Sequence, residues 1–344
     1  MKFQKTIGQL LQKDKTLKQK YNLLLAKLQF KTRSLYLRNY PVQLTIDPIN
    51  ICNMHCKLCP TGTGVQGRKR SIMSFDIFKK IIDECGAYLW VIDMYNWGEP
   101  LLNKDIFKMI TYARERNIDV NISTNLNYFN DDMCISLINS GLNKLIISLD
   151  GASQESVENY QKGNDFQLVI KNIEKIVKCK ELLKSKSPFI QWRFLVNKYN
   201  ENEIEKAKLL AKRLKIDKLE IGMIRCSMGE ELLLNKETQY ENVKEYLPDN
   251  EELSMYDYSL KQKKNIGNIC KLLWFVSAIQ PDGSVSPCEA VWNERFDFGN
   301  INDSPFMKIW NSEKYQSARK ISRGDKISEN GHICYICTRN NSQI

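Results

Sequence analysis

From residue 42 onward, short apolar runs alternate with segments in which apolar residues recur every three or four positions. The runs at 42–47, 88–94, 118–122, 144–149, 188–196 and 217–224 read as strands, and the periodic segments at 75–84, 105–115, 130–139, 165–183 and 201–214 read as helices. Strands alternating with helices imply a parallel sheet joined by right-handed crossovers. The loops that follow such strands gather at one face, where sheets and barrels of this class place their sites. Ahead of this array, residues 5–29 read as an amphipathic helix, with Ile7, Leu10, Leu17, Tyr21, Leu24 and Leu28 on one stripe, and Pro41 closes the segment. Behind it, residues 235–268 are polar, mix both charges and contain Pro248, so they read as a linker with little core. Two short strands at 275–280 and 284–287 then flank the turn Pro281-Asp282-Gly283, followed by a helix at 305–320. The chain divides into a basic helical segment (1–40), an α/β array (41–234), a linker (235–268) and a small cysteine-rich α+β domain (269–344).

Composition narrows the chemistry. With 344 residues, 42% hydrophobic and 26% charged, the chain has room for one large globular domain and a smaller one. No apolar run approaches the ~20 residues of a membrane span, and the amino terminus has no secretory pattern, so a cytoplasmic location is expected. Eleven cysteines in that setting do not read as a disulfide framework. The only two histidines, His55 and His332, sit beside cysteine clusters, which argues against serine–histidine triads and HExxH metalloproteases. The net charge of +11 is uneven: residues 1–40 hold ten Lys or Arg against the single acid Asp14, or +9, leaving +2 for the rest. The basic helix is expected to dock on the body with a solvated lysine face. A second reading has it bind an anionic membrane surface or a lipid-linked substrate. Nucleic acid is disfavoured, because no aromatic-interleaved basic surface accompanies it.

The run Ile51-Cys52-Asn53-Met54-His55-Cys56-Lys57-Leu58-Cys59-Pro60 follows the first strand. Three thiolates on one short loop can bind three irons of a [4Fe–4S] cube and leave the fourth open to an exogenous chelator. A structural zinc site would instead close with four protein ligands. Further motifs follow successive strands: Asn96-Trp97-Gly98-Glu99-Pro100, Ser123-Thr124-Asn125, Ile147-Ser148-Leu149-Asp150-Gly151, and Arg193 with Asn200 and Glu203. In that order they resemble the radical S-adenosylmethionine superfamily, whose CxxxCxxC loop leads off a partial (β/α)6 barrel. The resemblance implies that Cys52, Cys56 and Cys59 hold the cluster. It implies that Gly98 and Glu99 meet the methionine amino group, and that Ser123, Asn125, Ser148 and Asp150 contact the cofactor. Trp97 replaces the first glycine of the usual motif, which implies bulk near the methionine. Gln161-Lys162-Gly163 stands where many members have an arginine, which makes Arg193 the candidate partner of the cofactor carboxylate.

Cys270, Cys288, Cys334 and Cys337 suit either a closed zinc site or a second [4Fe–4S] cluster on spacing alone. After a radical barrel they resemble the shortened SPASM domain called twitch, which implies one auxiliary cluster. Cys226, just past the sixth strand, is a candidate hydrogen-atom donor to a substrate radical, or else a small buried hydrophobe. Cys85, Cys134 and Cys179 read as isolated packing residues. Asp47, Asp93 and Tyr95 are candidate acid–base groups. The resemblance implies a 5′-deoxyadenosyl radical, made with an electron from a donor such as flavodoxin or ferredoxin. It implies hydrogen abstraction from a small-molecule substrate, read here as a sugar or aminocyclitol undergoing dehydrogenation or epimerisation. A peptide-modifying maturase is the alternative, disfavoured because the 40 residues before the first strand look purely helical. A non-enzymatic alternative is a four-cysteine zinc module binding RNA.

Overall fold

The structure, a computed structural model, describes residues 14–65, 67–224, 236–264, 270–325 and 332–337. Helix α1 (Leu17–Lys31) leads into β1 (Gln43–Ile46). Then α2 (Phe75–Cys85), β2 (Val91–Asp93), α3 (Ile106–Arg114), β3 (Asp119–Thr124), α4 (Asp131–Asn139), β4 (Lys144–Ser148), α5 (Phe166–Leu182), β5 (Phe189–Val196), α6 (Ile204–Arg213) and β6 (Lys218–Met223) follow. Side chains of Ser74, Asn130 and Asp165 cap α2, α4 and α5 by accepting a backbone N–H.

Strands β1 to β6 lie side by side in chain order, each pair parallel. A right-handed crossover that always steps the same way puts every helix on the same face. That is the wall of a partial barrel, and the two faces of the strands record it. Leu44, Ile92, Val120, Ile122, Leu145, Ile147, Trp192 and Phe194 bury their side chains against Phe78, Ile82, Met109, Leu137 and Ile173 of the helices. The alternate positions Gln43, Asp93, Asn121, Lys144, Gln191 and Arg193 turn to the helix-free side.

The carboxy-terminal part joins this sheet instead of standing apart. Strand β7 (Val276–Ile279) pairs in parallel with β1, and β8 (Ser284–Ser286) and β9 (Gly299–Asn300) continue outward antiparallel. The edge of β1, which would otherwise expose unpaired amides, is thereby covered. The helix expected at 305–320 is divided into Phe306–Trp310 and a second helix beginning at Glu313. At the break the Asn311 side chain accepts the Leu37 N–H (2.7 Å) and donates to the Leu37 carbonyl (2.8 Å). Residues 33–41 are strapped to the carboxy-terminal part by further bonds, above all from buried Arg319, which donates to the carbonyls of Leu35, Leu273 and Trp310.

Two expectations need correction. The linker has a core of its own: helix α7 (Lys236–Val243) and the two-residue strands Tyr256–Asp257 and Gln262–Lys263 frame buried Val243, Leu247 and Tyr256, packed on Tyr160 and Ile224. Tyrosine supplies large apolar area while reading as polar in a hydropathy pattern. Helix α1 is turned the other way from its periodicity. It buries Gln19, Asn22, Leu23, Ala26 and Gln29, and its apolar stripe faces solvent. The helix following the Asn311 break is α8 (Glu313–Arg323).

Candidate active site

The loop after β1 carries the first three cysteines. Cys56 lies in a two-residue strand whose partner is Gln161-Lys162, with Cys56 opposite Gln161. Cys59 precedes the short helix Pro60–Thr63, and its N–H donates to the Cys56 carbonyl (3.2 Å). The turn closes because residue 62 is glycine: a Cβ there would stand 2.5 Å from the Cys56 carbonyl oxygen.

Burial pushes all three thiols up in pKa, Cys52 to about 12, and Cys52 and Cys59 raise Cys56 further. Three neighbouring thiols that resist ionisation alone are what a cationic cluster would relieve, since iron binds the thiolate. Among the described residues no three His, Cys, Asp or Glu side chains converge on a single-ion site. A cube does not demand that, because each thiolate takes its own iron.

The loops after β2, β3 and β4 hold this loop from behind. Gly98 passes so close to it that a Cβ would lie 1.8 Å from the Ile49 carbonyl oxygen, and Glu99 N–H donates to the Ile51 carbonyl (2.9 Å). Glu99 is buried, its Oε1 accepting the Leu101 N–H (3.1 Å) and its Oε2 the Asn125 N–H (2.8 Å). Burial outweighs those bonds and pushes its carboxyl up to about 7. Asn125 donates to Asn53 Oδ1 (2.8 Å) and to Cys52 Sγ (3.7 Å). Ser123 and Ser148 pair through their hydroxyls at 2.8 Å. Asp150 is buried and raised to about 7 by desolvation, with Oδ1 accepting the Leu195 N–H (2.8 Å).

Gln161 stood out in the sequence only as part of the run that replaces an arginine, and the fold gives it a bonding role of its own. Its Oε1 accepts the Asp150 N–H (2.9 Å) and its Nε2 donates to the Ser148 carbonyl (3.2 Å), so it couples Cys56 to the end of β4. Arg193 opposes Ser148 in register, stands over the Tyr95 ring (5.8 Å) and lies 3.8 Å from Glu220. Asp47 is buried behind the cluster loop, accepts the Trp97 N–H (3.3 Å) and is raised to about 7 by desolvation.

On the helix-free face Asp93 accepts from Gln43 (2.8 Å) and Asn121 (2.7 Å), and Gln191 donates to Glu220 (2.6 Å). This lumen was missed as a site, although polar residues at alternate positions of the strands were its signal. Outside the cluster loop a hollow of about 440 Å³ is lined by His55, Lys57, Gly62, Thr63 and Lys162.

Cys270, Cys288, Cys334 and Cys337 come together. Cys288 and Cys334 are half-buried and pushed well up, first by desolvation, then by Glu289 for Cys288, and by Cys270 and Cys337 for both. Cys270 N–H donates to Ser322 Oγ on α8 (3.1 Å). His332 accepts the Cys334 N–H (3.1 Å) and pairs with the Lys314 carbonyl (3.1 Å), so it braces the last cysteine pair on α8. Glu289 lies near enough to Asp93 and Tyr95 to raise both, which places the four-cysteine site beside the lumen. Cys134 and Cys179, expected apart, touch across α4 and α5, because those helices pack side by side. Cys226 lies outside the described residues.

Comparison with known proteins agrees with this arrangement. Residues 46–181 match the radical SAM superfamily, and residues 270–338 match SPASM, an iron–sulfur cluster-binding domain. The first domain uses a [4Fe–4S] cluster with S-adenosylmethionine, and the second carries auxiliary iron–sulfur clusters, which sets the zinc-module reading aside. The mycofactocin maturase MftC of Mycolicibacterium smegmatis is 23% identical over 85% of this chain and 76% of its own length. A tungsten-containing aldehyde ferredoxin oxidoreductase cofactor-modifying protein of Pyrococcus furiosus is 22% identical over 79% of this chain and 81% of its own. Streptococcus suis SuiB, solved bound to S-adenosylmethionine, superposes with a TM-score of 0.63 at 16% identity, covering 88% of this chain and 72% of SuiB, a likeness of fold.

Proposed function

We propose, from the premise that this chain is a radical SAM enzyme carrying a SPASM domain, that it abstracts hydrogen from a carbon of a hydroxylated small molecule, a sugar or aminocyclitol. The observation that carries this reading is the polar lumen. Gln43, Asp93, Asn121, Lys144, Arg193 and Glu220 line the helix-free face with both donors and acceptors. A wall of that kind suits a compact ligand rich in hydroxyl or amino groups, whose desolvated polar atoms each need a partner.

Cys52, Cys56 and Cys59 would hold a [4Fe–4S] cluster, which would supply the single electron for reductive cleavage of S-adenosylmethionine into methionine and a 5′-deoxyadenosyl radical. The chain's own groups hold the reactants. Glu99, Asn125 and Asp150 fix the loops around the cofactor, and Ser123, Ser148 and Arg193 offer it polar side chains. Asp93, raised by burial, is placed to take a proton from a substrate hydroxyl. Glu289 joins the lumen to the cysteine set Cys270, Cys288, Cys334 and Cys337, whose auxiliary cluster suits a dehydrogenation. The hollow lined by His55, Lys57 and Lys162 offers positive charge beside Cys56 to an acidic electron donor such as flavodoxin or ferredoxin.

A second reading, a peptide maturase, is favoured by the alignment with a maturase over 85% of the chain. The test is 5′-deoxyadenosine release by cluster-loaded protein with reductant and S-adenosylmethionine, with sugars and aminocyclitols in one panel and peptides in another. Release driven by a sugar or cyclitol, with a matching loss of substrate hydrogen, is expected. Release driven only by peptides overturns the proposal. Turnover in heavy water then separates epimerisation, which brings solvent deuterium into the product, from dehydrogenation, which does not.

A further inference from the structure

Helix α1 is fastened to the body by polar atoms. Lys15, just ahead of it, donates to the carbonyls of Trp90 and Asn117 and pairs with Asp119 at 2.9 Å. Gln19 donates to the carbonyls of Leu89 and Asn117, and Asn22 both accepts the Tyr40 N–H and donates to the Tyr40 and Tyr88 carbonyls. Gln29 accepts the N–H groups of Arg38 and Asn39 and donates to the Tyr36 carbonyl. These partners fix the rotation of the helix. The outward face is therefore set by the fold.

On that outward face Leu17, Tyr21, Leu24 and Leu28 are 85%, 66%, 46% and 55% exposed. At ~100° per residue the four fall within about 60° of arc, opposite the buried side. Lys20, Lys27 and Lys31 border the stripe on one side and Lys18 on the other, and α1 contains no acidic residue. An apolar ridge exposed along a helix whose other side is already satisfied is unfavourable in water unless something covers it. The ridge is convex and flanked by cations on both sides, which matches a planar anionic surface better than a protein groove.

We propose that α1 is an in-plane anchor that seats the enzyme on an anionic bilayer. The backbone groups that Lys15 and α1 grip, at 40, 88–90 and 117, immediately precede β1, β2 and β3. The cluster loop and the motif loops follow the same strands. The bilayer thus lies at the far end of the barrel from the cysteine loop, and the mouth opens away from it. The anchor localises the enzyme without presenting a lipid-linked substrate to the radical, an inference independent of which substrate the lumen takes.

The test is co-flotation of cluster-loaded protein with vesicles of phosphatidylcholine alone or mixed equally with phosphatidylglycerol. Wild-type protein is expected to float with the mixed vesicles only. The triple variant Leu17→Gln, Leu24→Gln, Leu28→Gln should lose binding by about tenfold or more, and Lys18→Gln, Lys20→Gln, Lys31→Gln should weaken it and flatten its salt dependence. Both should release 5′-deoxyadenosine as wild type does, since neither touches the site. Failure of wild-type protein to float, or full binding by the leucine variant, overturns the proposal. So does a lipid-free dimer that the leucine variant breaks, which would make the ridge a contact between two copies of the chain.

Discussion

The two cysteine sites are assembled by opposite routes. Cys52, Cys56 and Cys59 share one loop between β1 and α2, and the loops after β2 to β4 brace it through Glu99, Asn125 and Gln161. Cys270, Cys288, Cys334 and Cys337 come from the approach to β7, the loop after β8 and a short final helix, and they meet only because those pieces pack around α8. Closing the chain across 270–337 costs about 2 kcal/mol more loop entropy than closing it across 52–59. The first site is thus nearly complete as a loop and asks the fold mainly to aim it. The second is made by the fold and, once it holds iron, returns that stabilisation to the fold. Chemistry should fail on damage to the first site, and stability on damage to the second.

The largest effect expected from that contrast is at Cys56. Cys56→Ala should abolish 5′-deoxyadenosine formation in reconstituted protein, because the cube loses one of its three ligands. The thermal midpoint should stay near that of wild type, since the strand pairing with Gln161 uses backbone atoms alone. Persistent 5′-deoxyadenosine release would remove these cysteines from the cluster.

Cys334→Ala should reverse the balance. Cleavage of S-adenosylmethionine without substrate turnover should remain measurable, because the first loop is intact. The midpoint should fall, by about 1–2 °C for each kcal/mol of stability lost, because the unfolding entropy that sets the scale grows with chain length. Iron analysis should show the loss of one cluster while the other remains. A variant with an unchanged midpoint and full iron content would break the comparison, because the four thiols would then hold nothing.

How much of this was legible beforehand differs between the same two regions. The strand–helix array and the cysteine loop were readable because each lies in local pattern: apolar runs for β1 to β6, three- and four-residue steps for α2 to α6, and three cysteines within eight positions. The union of β7 with β1 was not, since a parallel pairing between residues 43 and 276 leaves no trace in either segment. Periodicity found the apolar stripe of α1 but not its direction. That depends on carbonyls at 88–90 and 117, which become hydrogen-bond acceptors for the helix only once the sheet exists. Gly98 was picked out by its motif, whereas the reason no other residue fits is the Ile49 carbonyl behind it. Gln161 was marked only as part of a run replacing an arginine; its role was not legible because its work is to satisfy the backbone of Ser148 and Asp150, which many polar residues could be imagined to do.

The smallest expected effect concerns the charge behind each site. Asp47, Glu99 and Asp150 surround the first loop, all buried and all raised to about 7 because desolvation exceeds the help of their hydrogen bonds. Beneath the second site lie Tyr315, pushed up by burial, and Arg319, lowered to about 9 by it. The three carboxyls bind more protons in the folded chain than in the unfolded one between about pH 4, their usual unfolded value, and about pH 7. Their favourable contribution is therefore complete at the acid end of that window and is lost as the pH rises through about 7. Paired surface carboxylates such as Asp83 and Asp325 are lowered and act oppositely, but only where the unfolded chain begins to protonate, at about pH 5 and below. Thermal midpoints of the iron-free protein should thus decline between about pH 5 and about pH 7 and then level off with respect to these groups. Asp150→Asn, which keeps the shape and cannot ionise, should flatten part of that decline. A midpoint that rises through the same window, or a slope identical in Asp150→Asn, would mean that the loop site does not carry its carboxyls protonated, and would erase the electrostatic half of the contrast.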